Sequence, residues 1–393
     1  MEKQPAIRSL LVHNLLSFGE STPAIELKNL NVLIGPNGSG KSNLIEILGL
    51  LQSTPKDLNE PIRLGGGIAE WLWKGASELP RARIEVVASP ESGRTPLRYC
   101  LQFTRSGHRL EITDERIEDQ PLLKKRKTPR FYFGYVNGRP MLNVHGEPRE
   151  LRRENVNPGL SILSQLKDPA QYPELTYLGK LFGSIQLYRN WEFGSASKAR
   201  DVCGAGLPSN VLDESAGNLG LVLDRLLAYP KVNRELIDYL TKFYEDTASL
   251  HATIRHGVVE IALEERHLNS TVPAKRLSDG TLRWIALLTI LLNPEPPPLV
   301  CMEEPELGLH PDMIHEVAKL LLIASERMQL IVTTHSDLLV EEFSENPEVV
   351  VVCEKERGAT NLKRLDKREL AAWLKRYSLG QLWRKGQIGG NRW

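Results

Sequence analysis

The sequence predicts an α/β fold with a mixed sheet, an antiparallel β patch and a helical insertion. Three observations predict it. A glycine-rich loop, GPNGSGKS at residues 35 to 42, stands between an apolar strand, LNVLI, and a stretch with apolar residues at helical spacing, KSNLIEILGLLQ. Residues 81 to 145 carry short strand-like segments, RARIEVVAS, LRYCLQFTR, RFYFGYV and MLNVHG, separated by turn clusters. Toward the C-terminus helix and strand alternate: helix 280–292, strand 299–302, helix 312–327, strand 329–333, helix 336–343 and strand 348–353.

The elements follow in order. Residues 7 to 34 read as strands on either side of a GESTP turn. The helix after the glycine-rich loop stops at Ser53, Thr54 and Pro55. Residues 151 to 246 are read as the helical insertion, with Pro230 placed to separate two helices. They lack the sustained apolar heptads of a long coiled coil. LHATIRHGVVEIALE, residues 250 to 264, reads as a hairpin turning at His256 and Gly257. A three-part division is expected: 1–150 with the loop and β patch, 151–265 with the insertion and hairpin, and 266–393 as a second lobe with a basic tail.

With 393 residues, a large core is affordable. Lys and Arg number 50 against 49 Asp and Glu, so no basic field covers the chain and any nucleic-acid contact must be local. Two local runs exist. Lys124, Lys125, Arg126, Lys127 and Arg130 form one, and the tail from Lys363 to Trp393 holds nine Lys or Arg against Asp366 and Glu369. Either run is equally well a solvated surface. Cys100, Cys203, Cys301 and Cys353 are dispersed without CxxC spacing, as expected of a reduced cytoplasmic protein. The longest apolar run, Trp284 to Leu292, is about half of what a bilayer needs, so no membrane segment is expected.

Four stretches carry chemistry. In Gly35, Pro36, Asn37, Gly38, Ser39, Gly40, Lys41 and Ser42, followed by Asn43, small residues let successive backbone N–H groups converge on phosphate oxygens at a helix start. Lys41 can reach the terminal phosphates of ATP, and the Ser42 hydroxyl suits Mg²⁺. PPLVCMEEPELGLHP, residues 297 to 311, ends an apolar strand in Glu303 and Glu304. The first suits the metal and the second suits a water that attacks the γ-phosphate. LSDGTLR places Ser278 and Gly280 at a helix start, where they serve as an anion site or simply as a good cap. QLIVTTHS presents His335 near its end, a residue that is structural in most such settings.

In this order, GPNGSGKS, LSDGT, EEPELGLHP and TTHS resemble the ABC-type P-loop NTPase heads of the SMC, RecF and OLD families. They are most similar to the AAA ATPases without long coiled coils that occur in bacterial phage-defence and retron loci. The likeness spans most of residues 7 to 45 and 275 to 340, and the closing QIGGNRW looks like the C-terminus of those ATPases. The resemblance implies a homodimer sandwiching two ATP, with Ser278 and Gly280 reaching the γ-phosphate bound by the other copy. Glu306 to His310 would lie at the dimer seam as the D-loop, and His335 would be the switch histidine. Gln165 is the choice for the Mg²⁺-sensing glutamine, with Gln186 competing. Glu303 stands where such heads more often have Asp, NLLSF lacks their phosphate-flanking Arg, and LSDGT replaces the LSGGQ of transporters.

The expected activity is ATP hydrolysis with Glu304, His335 and Lys41 as catalytic residues. It would gate DNA or nucleoprotein binding, or an effector such as a nuclease or toxin from a neighbouring gene, in phage defence or DNA maintenance. The alternative is a purely regulatory switch that sequesters the effector without touching DNA. A Toprim nuclease is not expected, because only 58 residues follow His335 and the tail holds no DxD pair. A transporter subunit is the least favoured reading.

Overall fold

The computed structural model describes residues 4–76, 78–89, 95–120, 130–136, 139–144, 147–151, 156–189 and 191–390. Two compact units result: Met1–Ile185 with Asn346–Arg376 and Leu382–Trp393, and Gln186–Glu345 with Tyr377–Gln381. This partition cuts across the expected three-part division because the C-terminal hairpin joins the N-terminal strands. Val350–Glu356 pairs in parallel with Leu30–Ile34 and antiparallel with Ala359–Arg364.

In the first unit, an eight-stranded antiparallel sheet runs in the order Ile25–Glu26, Ile7–His13, Ala82–Ala88, Leu97–Ser106, Arg109–Asp119, Phe131–Val136, Arg139–Val144 and Glu147–Glu150. Its central strands alternate buried and exposed residues, as a sheet with one wet face requires. Leu30–Ile34 is buried at every position, which is why it reads as an unbroken apolar run. The helix Lys41–Ser53 follows the loop and buries Leu44, Ile45, Ile47, Leu48, Leu50 and Leu51. Of the basic tail, Arg364 is no surface charge: its guanidinium donates to Glu348 O, Glu26 O and Asn31 Oδ1, at 2.9, 2.7 and 2.6 Å. Burial lowers its pKa to about 10.

The second unit has three parallel strands, Gln186–Tyr188, Leu299–Glu303 and Gln329–Thr333. The helix Asp279–Leu291 is buried along nearly its whole length, and its Trp284 stacks on Phe243 while donating Nε1 to Tyr239 O at 3.1 Å. The insertion contains the helices Leu219–Leu227 and Pro230–Phe243, with Pro230 at the first turn of the second, where its missing N–H costs nothing. The hairpin Thr247–Arg255 and Val258–Glu265 turns at His256 and Gly257, both at positive φ. Among the described residues no helix is long and apolar enough to cross a membrane. Lys124 to Lys127 lie outside the described residues, whereas Arg130 sits over the Tyr132 ring.

Candidate nucleotide site

In the first unit the phosphate loop is shaped by three glycines at positive φ: Gly35 at 151°, Gly38 at 78° and Gly40 at 106°. Two of them also lack room for a side chain. A Cβ on Gly35 would collide with Cys353 O, and one on Gly40 would meet the hydroxyls of Thr360 and Ser17. Thr360 Oγ1 lies 2.8 Å from Ser39 O and 2.6 Å from Ser17 Oγ. A carbonyl can only accept, so Thr360 donates to Ser39 O and accepts from Ser17. The strand Ala359–Arg364 and the turn after Ile7–His13 thereby fix the loop from behind.

Lys41, only 6% exposed, donates Nζ to Gly35 O at 2.7 Å and to Pro36 O at 3.2 Å, which holds the ammonium over the loop. No side chain caps the helix start, so its first amides remain available to an anion. Ser39 Oγ is buried with no hydrogen-bond partner among the described residues, and the exposed Ser42 stands in the first helical turn.

In the second unit Glu303 is the last residue of its strand, opposite Thr333. Its Oε1 is buried with no partner among the described residues, an unmet acceptor of the kind a hydrated cation satisfies. Glu304 has φ 45°, unusual for a residue with a side chain, and its N–H donates to Thr333 O at 2.9 Å. Its Oε1 lies 3.7 Å from His335 Nε2. The hydroxyl of Thr334 donates to the buried Glu306 carboxylate and accepts from Ser336 N at 2.9 Å. Burial raises the Glu306 pKa above the usual carboxylate range.

The signature segment belongs to the same unit. Ser278 caps the helix by accepting from Thr281 N at 3.0 Å. A Cβ on Gly280 would stand 3.3 Å from Gly308 O, in the segment after the acidic pair, so glycine permits that close approach. Two arginines that sequence reasoning missed build the surroundings. Arg200 donates to Gly194 O at 3.0 Å and Leu277 O at 2.6 Å and pairs with Asp279, tying the approach to the helix in place. Arg283, 8% exposed, lies under the Trp191 and Phe193 rings and donates to Trp191 O at 2.8 Å. A cavity of about 500 Å³ opens among Trp191, Phe193, Ser195, Asp279, Gly280 and Arg283. Arg283 was visible only as the last letter of LSDGTLR, and Arg200 had no local signal at all.

With this geometry in view, a family model described as "AAA domain, putative AbiEii toxin, Type IV TA system" matches residues 30–341, most of the chain. The chain belongs to this AAA family. Its fold is the P-loop NTPase fold of SMC heads. An SMC head bound to the C-terminal winged-helix domain of ScpA is similar with a TM-score of 0.58 at 16% identity, covering 93% of this chain and 99% of the other. A second head, with an extended coiled coil and bound to the C-terminal domain of ScpA from Pyrococcus furiosus, gives 0.56 at 14%, covering 94% and 99%. A head with coiled coil and joint from Pyrococcus yayanosii gives 0.52 at 12%, with the same coverage. No curated protein matches the chain.

The two candidate glutamines are held differently in this AAA chain. Gln165 accepts from Asn157 N at 2.9 Å and donates to Leu160 O at 2.8 Å, so its amide closes the turn before its own helix. Gln186 lies opposite Val300, three residues before the strand end that carries Glu303. SILSQ and SIQLY look alike as sequence, yet one glutamine belongs to a turn and the other to a strand.

Proposed function

We propose that this AAA chain hydrolyses Mg-ATP and that two copies close around two nucleotides to gate a partner. The observation that carries the reading is the acidic strand end: a buried Glu303 oxygen without a partner among the described residues, followed by Glu304 held at positive φ beside His335. In this reading the loop amides, Lys41 and Ser42 hold the triphosphate and its Mg²⁺, and Glu303 accepts from metal-bound water. Bound Mg²⁺ would draw charge from the transferring phosphoryl group. Glu304 would accept a proton from the attacking water, and His335 would orient that carboxylate or touch the γ-phosphate. Ser278 and Gly280, with their cap geometry, would complete the other copy's site.

The partner is DNA, a nucleoprotein or an effector protein such as a nuclease or toxin. A protein partner is favoured by the family's toxin–antitoxin description and by the two similar heads that are bound to ScpA domains. DNA is favoured by the exposed helix Lys367–Leu374, which buries no residue and carries Lys367 and Arg368, with Lys375 and Arg376 directly after it. The test is the mass in solution with and without Mg-ATP. Glu304→Gln with Mg-ATP should run as a dimer and Lys41→Ala as a monomer; monomers in both cases would remove the dimer from the account. Salt-sensitive DNA binding by the wild type, lost on charge reversal at Lys367 and Arg368, separates DNA gating from a purely regulatory switch.

A further inference from the structure

The segment around Gly389 and Gly390 packs close to the phosphate loop. Gly389 and Gly390 lie at φ 79° and 73°, a pair of left-handed residues that only glycine adopts readily. A side chain on either would press on its neighbours. A Cβ on Gly389 would stand 2.6 Å from Glu354 Oε1, and one on Gly390 would stand 3.0 Å from Val352 Cγ1, 3.3 Å from Trp383 Nε1 and 3.4 Å from Gly35 Cα. Two hydrogen bonds seat the turn: Gly390 N donates to Glu354 Oε1 at 2.8 Å, and Trp383 Nε1 donates to Gly390 O at 3.3 Å. Leu379, Leu382 and Ile388 are buried, so the segment is fastened on both sides of Trp383.

Gly35 thus has Cys353 O of the neighbouring strand pressed against it and Gly390 close beside it. Its own carbonyl receives the Lys41 ammonium. A displacement of Gly390 is therefore passed through Gly35 to the cation that meets the terminal phosphates, because close-packed backbone transmits shifts that side chains would absorb. We infer that Gly389 and Gly390 are positioning residues for the phosphate loop, a wall supplied by the segment after Trp383 that sets how tightly the loop holds a nucleoside triphosphate. The inference rests on the proposed nucleotide reading for its ligand and on geometry alone for its effect on the loop.

Three variants test it through the affinity for Mg-ATP measured by calorimetry, with amide exchange at residues 35 to 40 measured without nucleotide. Gly390→Ala should weaken binding about tenfold, and Glu354→Ala, which leaves the backbone free of new strain, about threefold. Both should speed exchange in the loop. Gly107→Ala provides the control, since Gly107 has φ 61° with nothing within 4 Å of an added Cβ; it carries similar backbone strain without touching the loop. Wild-type affinity and exchange in Gly390→Ala and Glu354→Ala, or an equal loss in Gly107→Ala, would overturn the inference. Faster exchange in a protein whose wild type binds no ATP would uphold the wall and remove the nucleotide reading instead.

Discussion

The phosphate loop and the acidic strand end are built in opposite ways. The loop is made of backbone: glycines at positive φ, carbonyls that hold Lys41, and neighbours packed so closely that a methyl group would collide. The acidic end is made of side chains with unmet capacity. Among the described residues, Glu303 Oε1 and Glu306 Oε2 are buried without partners, and Arg283 keeps an unpaired nitrogen in the same unit. A backbone site is specified by a contiguous motif and tolerates little change of shape. A side-chain site is specified by residues distant in sequence and is poised to accept a cation, a water or a second molecule.

That contrast can be broken at several points. The largest effect is expected from Lys41→Ala, which removes the ammonium that the loop orients; ATP affinity by calorimetry should fall about a hundredfold. Next comes Arg200→Ala, which strips several carbonyls of their donor and frees Asp279. A stability loss of about 3 kcal/mol in urea unfolding and slower hydrolysis at unchanged ATP affinity are expected. Stability lost without a change in hydrolysis would show that Arg200 serves the fold alone.

The smallest effect concerns pH. Glu115 is buried and accepts from Ser161 Oγ, Ile162 N and Tyr99 OH, at 2.6, 2.8 and 2.8 Å, yet burial dominates and raises its pKa from 4.5 to about 6. The folded state therefore binds this proton more tightly than the unfolded chain. The associated stabilisation is complete below pH 4.5, is lost as pH rises through about 6, and amounts to about 2 kcal/mol. Glu115→Gln should remove that component from the pH dependence of unfolding; an unchanged profile would refute the shift.

The same contrast explains what was legible in the sequence. Leu30–Ile34, the loop and the helix Lys41–Ser53 were readable because one segment specifies them all. The hairpin at His256 and Gly257 and the helix beginning at Pro230 were equally local. Thr360, Arg200, Thr334 and Gly390 were not readable as site residues. Each acts on residues remote in sequence, and their contacts exist only once the strands are paired. The basic tail divided for the same reason: Arg364 and Trp383 are packed into the fold, while Lys367 and Arg368 remain on the surface.

The central claim is that the loop binds ATP and the acidic end consumes it, and Glu304→Gln separates the two. ATP affinity and phosphate release should be measured on the same preparation. The account predicts wild-type affinity with phosphate release slowed about a hundredfold or more. Release at the wild-type rate would contradict it.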